Sequence, residues 1–178
     1  MVSKIESAYL NDQNIQKFYI ENFNIISKAK LNYIRDSLTH ENCFFVEEIF
    51  YDCGFPYLNK VSQKHSHQFW LVVQHCDNNP EFQISVLNRM EKGLSGNNVL
   101  KEDYAYLTDR VRINQGKKQV YGTQLKLIDN CYYPKPIEDS INVNSRRLSM
   151  GLDSLVHYLK QASSVLDSLN SNISQKCY

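Results

Sequence analysis

The segment KVSQKHSHQFWLVVQHC, residues 60–76, predicts the helix on which our interpretation of this chain depends. Its apolar residues recur at helical spacing, which is typical of an amphipathic helix. A Gly-x-Pro sequence at 54–56 precedes it, and glycine followed by proline is typical of the end of a preceding helix. The Asn-Pro pair at 79–80 follows it and is typical of a new helix start. We therefore expect one helix in a series of helices.

Helical spacing continues on both sides of this segment, and one stretch alternates instead. Apolar and polar residues alternate over 119–127, and a short apolar stretch follows at 131–133, which together predict a β-hairpin. The sequence thus predicts a mainly α fold, a single compact domain (1–178) of about six helices with one small β-hairpin. The predicted helices cover 12–38, 44–53, 60–76, 80–92, 100–116 and 144–166. We expect residues 1–40 to hold the long N-terminal helix and 169–178 to be a frayed tail.

The composition excludes several classes of protein. Lys plus Arg number 20 and Asp plus Glu 19, so the net charge of +1 argues against a nucleic-acid-binding protein. No stretch approaches the roughly 18 apolar residues that span a bilayer, and Met1–Leu10 lacks the pattern of a secretory signal. We therefore expect a cytoplasmic protein that binds neither membrane nor nucleic acid; the sequence does not indicate its oligomeric state.

The cysteines also favour the cytoplasm. They are odd in number, scattered, and form no C-x-x-C pair, so we expect reduced thiols rather than a disulfide scaffold. The five are Cys43, Cys53, Cys76, Cys131 and Cys177.

His75 is the first candidate for chemistry. On the predicted helix it lies over Leu71 and Val72, four and three residues earlier, and therefore on an apolar side. A desolvated imidazole that titrates near neutrality suits general acid-base catalysis. The alternative is a buried histidine satisfied by a carboxylate or backbone group. Gln74, next to it, is a candidate for substrate binding.

No metal or other cofactor is expected. His65 and His67 are two residues apart, so on a helix their rings diverge by roughly 200°. The sequence has no zinc-ligand spacing, no phosphate-binding loop and no dinucleotide-binding signature.

Two further polar clusters follow in the second half of the chain. Tyr106, Asp109 and Arg112 can form a network on one face of a helix, although an ordinary solvated face is the alternative. In the segment 121–124, YGTQ, a glycine inside a predicted strand indicates close approach of a ligand or, alternatively, a bulge or tight packing.

A pair of arginines, Arg146 and Arg147, is expected in the first turn of the last helix. Cations oppose the helix dipole there, so they need a partner. Either Glu138 or Asp139 serves, or a bound anion does.

Taken together, these stretches resemble an uncharacterised bacterial family of unknown function over roughly 47–160, which marks 44–160 as the family-like core. The resemblance implies a shared fold and one common site, formed by the polar residues of the motifs. Those residues are His75, Asp109, Arg110, Tyr121, Thr123, Gln124 and Arg147. The motifs are Gly54-x-Pro56, FWLVVQHCD (69–77), AYLTDRV (105–111), GKKQVYGTQ (116–124), PIED (136–139) and the Arg pair before Gly151-Leu152.

The leading hypothesis is a small metal-independent enzyme that acts on a polar, anionic substrate by hydrolysis, elimination or isomerisation. In this hypothesis His75 transfers protons and Asp109 orients either His75 or a partner cation. The substrate is bound by Gln74, Tyr106, Arg110, Tyr121, Thr123, Gln124, Arg146 and Arg147. One alternative is a binding module for a small anion or a peptide. Another is a partner-binding protein, such as an immunity or anti-defence factor, which predicts an exposed apolar patch on the first or last helix.

Overall fold

The computed structural model describes residues 1–129 and 131–169, with side chains described as far as residue 164. Within these residues the fold is mainly α with one two-stranded antiparallel sheet, as the sequence predicts, and it has seven helices instead of about six. The chain divides into two compact units, Met1–Asp103 and a second unit that begins at Tyr104.

The elements follow one another along the chain with short connections. The helices are α1 (Val2–Asn22), α2 (Lys28–Cys53), α3 (Gln63–Gln74), α4 (Pro80–Leu94), α5 (Lys101–Asn114), α6 (Val143–Ser149) and α7 (Leu155–Leu169). The strands are β1 (Leu125–Ile128) and β2 (Cys131–Pro134). No helix in the described part of the chain is long and apolar enough to cross a membrane.

The first unit is built on α1, α2 and α3, which pack against one another. Their apolar faces form a core in which Leu31, Val46, Ile49 and Val73 are fully buried. The start of α4 confirms the prediction from Asn79-Pro80, because Asn79 Oδ1 accepts a hydrogen bond from the backbone N–H of Phe82 at 3.1 Å.

The predicted helix over 12–38 is wrong, because the chain turns between Asn22 and Lys28. A single straight helix of that length could not fold back to pack one half against the other. The turn lets α1 and α2 bury their apolar faces together. The apolar spacing stays nearly in phase across the turn, so periodicity alone does not reveal it. The predicted helix over 44–53 is not a separate helix. It is the second half of α2, which runs without a break from Lys28 to Cys53.

The predicted last helix, 144–166, is also two helices. Gly151 has φ +77°, a left-handed conformation that glycine adopts readily, and it follows the end of α6 at Ser149. Leu152, expected inside the helix, is buried in the connection before α7. Of the predicted tail, Leu169 is the last residue of α7, and 170–178 lie outside the described residues.

The second unit contains the hairpin. The strands pair in antiparallel register from Leu125 opposite Pro134 to Ile128 opposite Cys131, so the predicted return strand is confirmed. The first strand begins at Leu125 and not at Gln119 as predicted. Residues 119–124 instead form a loop whose backbone groups bond to buried side chains, which the next subsection describes.

A disulfide between Cys43 and Cys76 corrects the expectation of reduced thiols. It joins α2 to the residue that follows His75, with a Cα–Cα distance of 5.6 Å, and both residues are buried. The packing of α2 against α3 brings together cysteines that are 33 residues apart in sequence. Sequence spacing could not indicate this pairing. Cys53 is a free thiol.

Removing this disulfide should destabilise the protein. We expect the double variant C43A/C76A to lose about 3–4 kcal/mol of unfolding free energy, because a cross-link over a loop of this length restricts the unfolded chain by about that amount. Urea denaturation followed by circular dichroism measures the loss. The control is C53A, which removes the free thiol and should change stability far less. Equal stability of the two variants would contradict the prediction.

Candidate functional site

His75 is paired with a buried carboxylate of the first helix. The buried face of α1 carries Ile5, Ala8, Asp12 and Ile15. On this otherwise apolar stripe the Asp12 side chain is 2% exposed, and its Oδ1 lies 2.6 Å from His75 Nδ1. A charged group so deeply buried requires a partner, and the imidazole supplies one.

The pairing fixes which ring nitrogen of His75 carries the proton. An ionised carboxylate only accepts hydrogen bonds, so Nδ1 is the donor and Nε2 of the neutral ring holds the lone pair. Nε2 bonds to none of the described residues, and the side chain is 29% exposed. The second oxygen of Asp12 accepts a bond from Gln13 Nε2 at 3.0 Å. This is the arrangement of a histidine oriented to accept a proton at Nε2.

Asp12 is not among the site residues that the sequence predicts. It falls at the first residue of the predicted 12–38 helix, where an acidic residue is ordinary, although α1 begins ten residues earlier. The available signal was the spacing of Ile5, Ala8, Asp12 and Ile15. An acidic residue within such an apolar stripe is seldom left unpaired.

Two other histidines of α3 are also bound to carboxylates. His65 Nε2 lies 3.0 Å from Glu6 Oε1 of α1, and His67 Nδ1 lies 2.9 Å from Asp103 Oδ1 of α5. The two rings therefore bind carboxylates of two different helices, α1 and α5. No group of three or more metal-ligating side chains occurs among the described residues.

The surroundings of Asp103 alter its protonation. Burial raises its pKa to about 7, although the neighbouring His67 lowers it. The His67 ring is stacked on Trp70, with ring centroids 4.9 Å apart. The folded protein therefore keeps a proton on Asp103 at pH values where the unfolded chain has released it.

This proton makes stability depend on pH. Between about pH 4 and about pH 7 the folded state binds more protons at Asp103 than the unfolded state, so the free energy of unfolding falls as pH rises through this window. D103N cannot titrate. We expect its stability relative to wild type to increase from pH 4 to pH 7 in urea denaturation. E91Q, which removes an exposed carboxylate of α4, is the control; a stability difference between wild type and D103N that is constant with pH would contradict the prediction.

In the second unit, Asp109 anchors the loop 119–124. Asp109 is fully buried. Its oxygens accept hydrogen bonds from the backbone N–H groups of Val120 (2.7 Å), Tyr121 (3.0 Å) and Thr123 (2.9 Å) and from the Thr123 hydroxyl (3.0 Å). Four donors are therefore directed at one carboxylate, which holds the loop in a single conformation.

Gln119, the first residue of this loop, bonds through its side chain to the last residue of the loop, Gln124. Its Oε1 accepts from the Gln124 N–H at 2.9 Å, and its Nε2 donates to the carbonyl of Lys135 at 2.7 Å. Gly122, within the loop, has φ +74°. A Cβ there would lie 3.0 Å from Leu155 Cδ1 and 3.1 Å from Ile137 Cδ1. The glycine thus allows close packing against apolar side chains, the alternative that the sequence analysis gave for it.

The arginine pair lies in the last turn of α6, not in the first turn of a helix as predicted. The helix is only seven residues long, and its C-terminal turn favours cations. Arg146 donates to the Val120 carbonyl at 2.9 Å and pairs with Asp139 at 3.2 Å, one of the partners predicted for it. Hydrogen bonds from Asn142 lower the pKa of Asp139, and the charge of Arg146 lowers it further.

Arg147 is almost completely buried. It donates to the carbonyls of Tyr121 (2.8 Å) and Asp153, and its guanidinium lies over the Tyr158 ring, 5.0 Å from the centroid. Burial lowers its pKa. The Tyr158 hydroxyl donates to the carbonyl of Thr123 at 2.9 Å, and burial raises its pKa.

The predicted site residues thus fall into two groups. His75 and the buried Gln74 belong to the first unit. Around the loop 119–124 the structure gathers Asp109, Tyr121, Thr123, Gln124, Arg146 and Arg147. Tyr106 packs edge-on against Tyr158, and Arg110 is half-buried on α5. Their assignment to substrate binding stays a prediction.

Asp109 and Arg112, which the sequence predicted to form a network with Tyr106, bond to other groups. Arg112 donates to the Lys118 carbonyl at 2.7 Å and pairs with Glu138. Asp109 faces backbone donors instead.

The Asp109 contacts predict a large effect of one substitution. D109N replaces an acceptor by an NH2 group that faces N–H donors, so we expect a loss of about 3 kcal/mol in the free energy of unfolding. The matched control is D129N, the same change at an exposed position of this unit where asparagine tolerates the φ of +47°. Urea denaturation of both variants measures the difference; similar losses in both would show that the loop does not depend on Asp109.

The chain is similar to a known protein family. The model of a family of unknown function, DUF6624, matches residues 11–167. No curated protein and no solved structure gives a significant match.

Proposed function

Because the chain belongs to the DUF6624 family, whose function is unknown, we propose a function from its own geometry: an enzyme that uses His75 as general acid-base on a polar substrate. Asp12 is the positioning residue for the imidazole. The observation that carries the proposal is the 2.6 Å contact between His75 Nδ1 and a carboxylate that is 2% exposed, with Nε2 left without a partner among the described residues.

This arrangement supports proton transfer for two reasons. The carboxylate keeps the proton on Nδ1, so that Nε2 is the basic atom on the partly exposed ring. When Nε2 takes up a proton, the negative charge of Asp12 stabilises the imidazolium that forms. A histidine that only filled the core would need the hydrogen bond but not the partial exposure of its ring.

The proposal changes two parts of the hypothesis drawn from the sequence. Asp12 takes the orienting role given there to Asp109, because the oxygens of Asp109 are occupied by donors of the loop 119–124. The substrate is described as polar without a preferred charge, because Arg147, expected to bind an anion, donates to carbonyls within the chain. Hydrolysis, elimination and isomerisation all remain within the proposal.

The reactivity of His75 tests the pairing. Diethyl pyrocarbonate modifies the unprotonated nitrogen of histidine, and mass spectrometry follows each site separately. In D12N the asparagine can donate to Nδ1 and move the proton to Nε2, so we expect modification of His75 to slow several-fold. His157, which is 58% exposed, is the internal reference and should react at the same rate in both proteins. An unchanged ratio of the two rates in folded D12N would contradict the role of Asp12.

Turnover tests the function itself. A small-molecule extract is incubated with wild type, H75Q or H157Q, and untargeted mass spectrometry follows what is consumed and formed. We expect wild type and H157Q to convert the same compounds and H75Q to convert none of them. Conversion by H75Q at the wild-type rate, or no conversion by any of the three proteins, would overturn the proposal.

No conversion by any of the three proteins would favour the partner-binding alternative. That alternative predicted exposed apolar side chains on the first or last helix, and Ile20, Phe23 and Ile25 are more than half exposed at the end of α1 and in the turn after it.

The cytoplasmic location stays a prediction. The disulfide between Cys43 and Cys76 weakens it, because disulfides persist mainly in oxidising compartments.

A further inference from the structure

A cavity of about 470 Å³ lies between α1 and α2, within the first unit. Eight residues line it. Four are apolar, including the aromatic Phe18 and Phe45, three are asparagines, and the eighth is Glu41. Cavities of several hundred cubic ångströms with mainly apolar walls and a few polar groups are typical of small-molecule sites.

One of the asparagines is only half satisfied. Asn42 is 6% exposed, and its Nδ2 donates to the carbonyl of Ala8 at 3.0 Å. Its Oδ1 is buried and accepts no hydrogen bond from the described residues. The bond to Ala8 ties α2 to α1 beside the cavity, and Oδ1, which water does not reach, is not available to a ligand there.

Glu41 gives the cavity a negative charge. Its side chain is exposed, and its carboxylate forms no ion pair or hydrogen bond with the described residues. The cations of the neighbouring turns are engaged elsewhere: Lys17 pairs with Glu21 at 3.7 Å, and Arg35 pairs with Asp36 at 2.8 Å. The lining thus offers acceptors and an uncompensated charge, but no cation.

We propose that this cavity binds an organic amine with an aromatic or branched apolar body. The body packs against Phe18 and Phe45, and the ammonium group pairs with the carboxylate of Glu41. An ammonium group brings both a positive charge and three N–H donors to this carboxylate. This inference goes beyond the proposed function and does not rest on it, because no residue of the Asp12–His75 pair lines the cavity.

Three indole compounds of nearly equal size test the proposal. Tryptamine is cationic, tryptophol is neutral, and indole-3-acetate is anionic at pH 7. Isothermal titration calorimetry should show tryptamine binding at least fivefold more tightly than tryptophol, and indole-3-acetate binding least. Equal affinities for all three, or preference for the carboxylate, would overturn the proposal.

Two variants assign the binding to this cavity. E41Q removes the charge at nearly constant size and should weaken tryptamine at least threefold, whereas E91Q, an exposed position on α4 outside the lining, should leave its affinity unchanged. L38W enlarges a lining residue that is 39% exposed and should block binding by filling the cavity. Wild-type affinity in both E41Q and L38W would overturn the proposal, while the reactivity of His75 would still test the Asp12 pairing separately.

Discussion

A carboxylate removed from water must be given hydrogen-bond donors, and this requirement governs both units of the protein. Asp12 is satisfied by an imidazole, Asp103 by another imidazole and by a retained proton, and Asp109 by backbone N–H groups and a hydroxyl. The first two join α3 to the helices around it. The third determines the path of a six-residue loop that has no regular hydrogen-bond ladder of its own.

The ends of helices were predictable where a capping or terminating residue marks them in the sequence. Asn79 caps α4 through its own side chain, and Gly54 ends α2 in the left-handed region, as glycine at that place indicates. The turns at 23–27 and 150–154 were missed because the apolar spacing persists through them. Such turns are selected by the packing of one helix on another, which a periodicity within one segment does not contain.

The candidate site was predictable only in part, for a similar reason. His75 was identified because its neighbours on one helix place it on an apolar side. Its partner Asp12 lies 63 residues away in sequence, so only the tertiary fold brings the two together. The polar motifs at 105–124 suggested a pocket, yet Asp109 and Gln119 use their side chains on backbone groups of the loop itself. A dense set of polar residues therefore indicates a need for hydrogen bonds without showing whether a ligand or the main chain meets it.

The disulfide lies one residue from the imidazole, and this has a consequence for motion at the pair. Cys76 is covalently linked to α2, so the end of α3 that carries His75 cannot drift away from its neighbours when the helix frays. The disulfide thus keeps the backbone beneath the ring at a nearly constant distance from α2, while the hydrogen bond to Asp12 holds the ring itself.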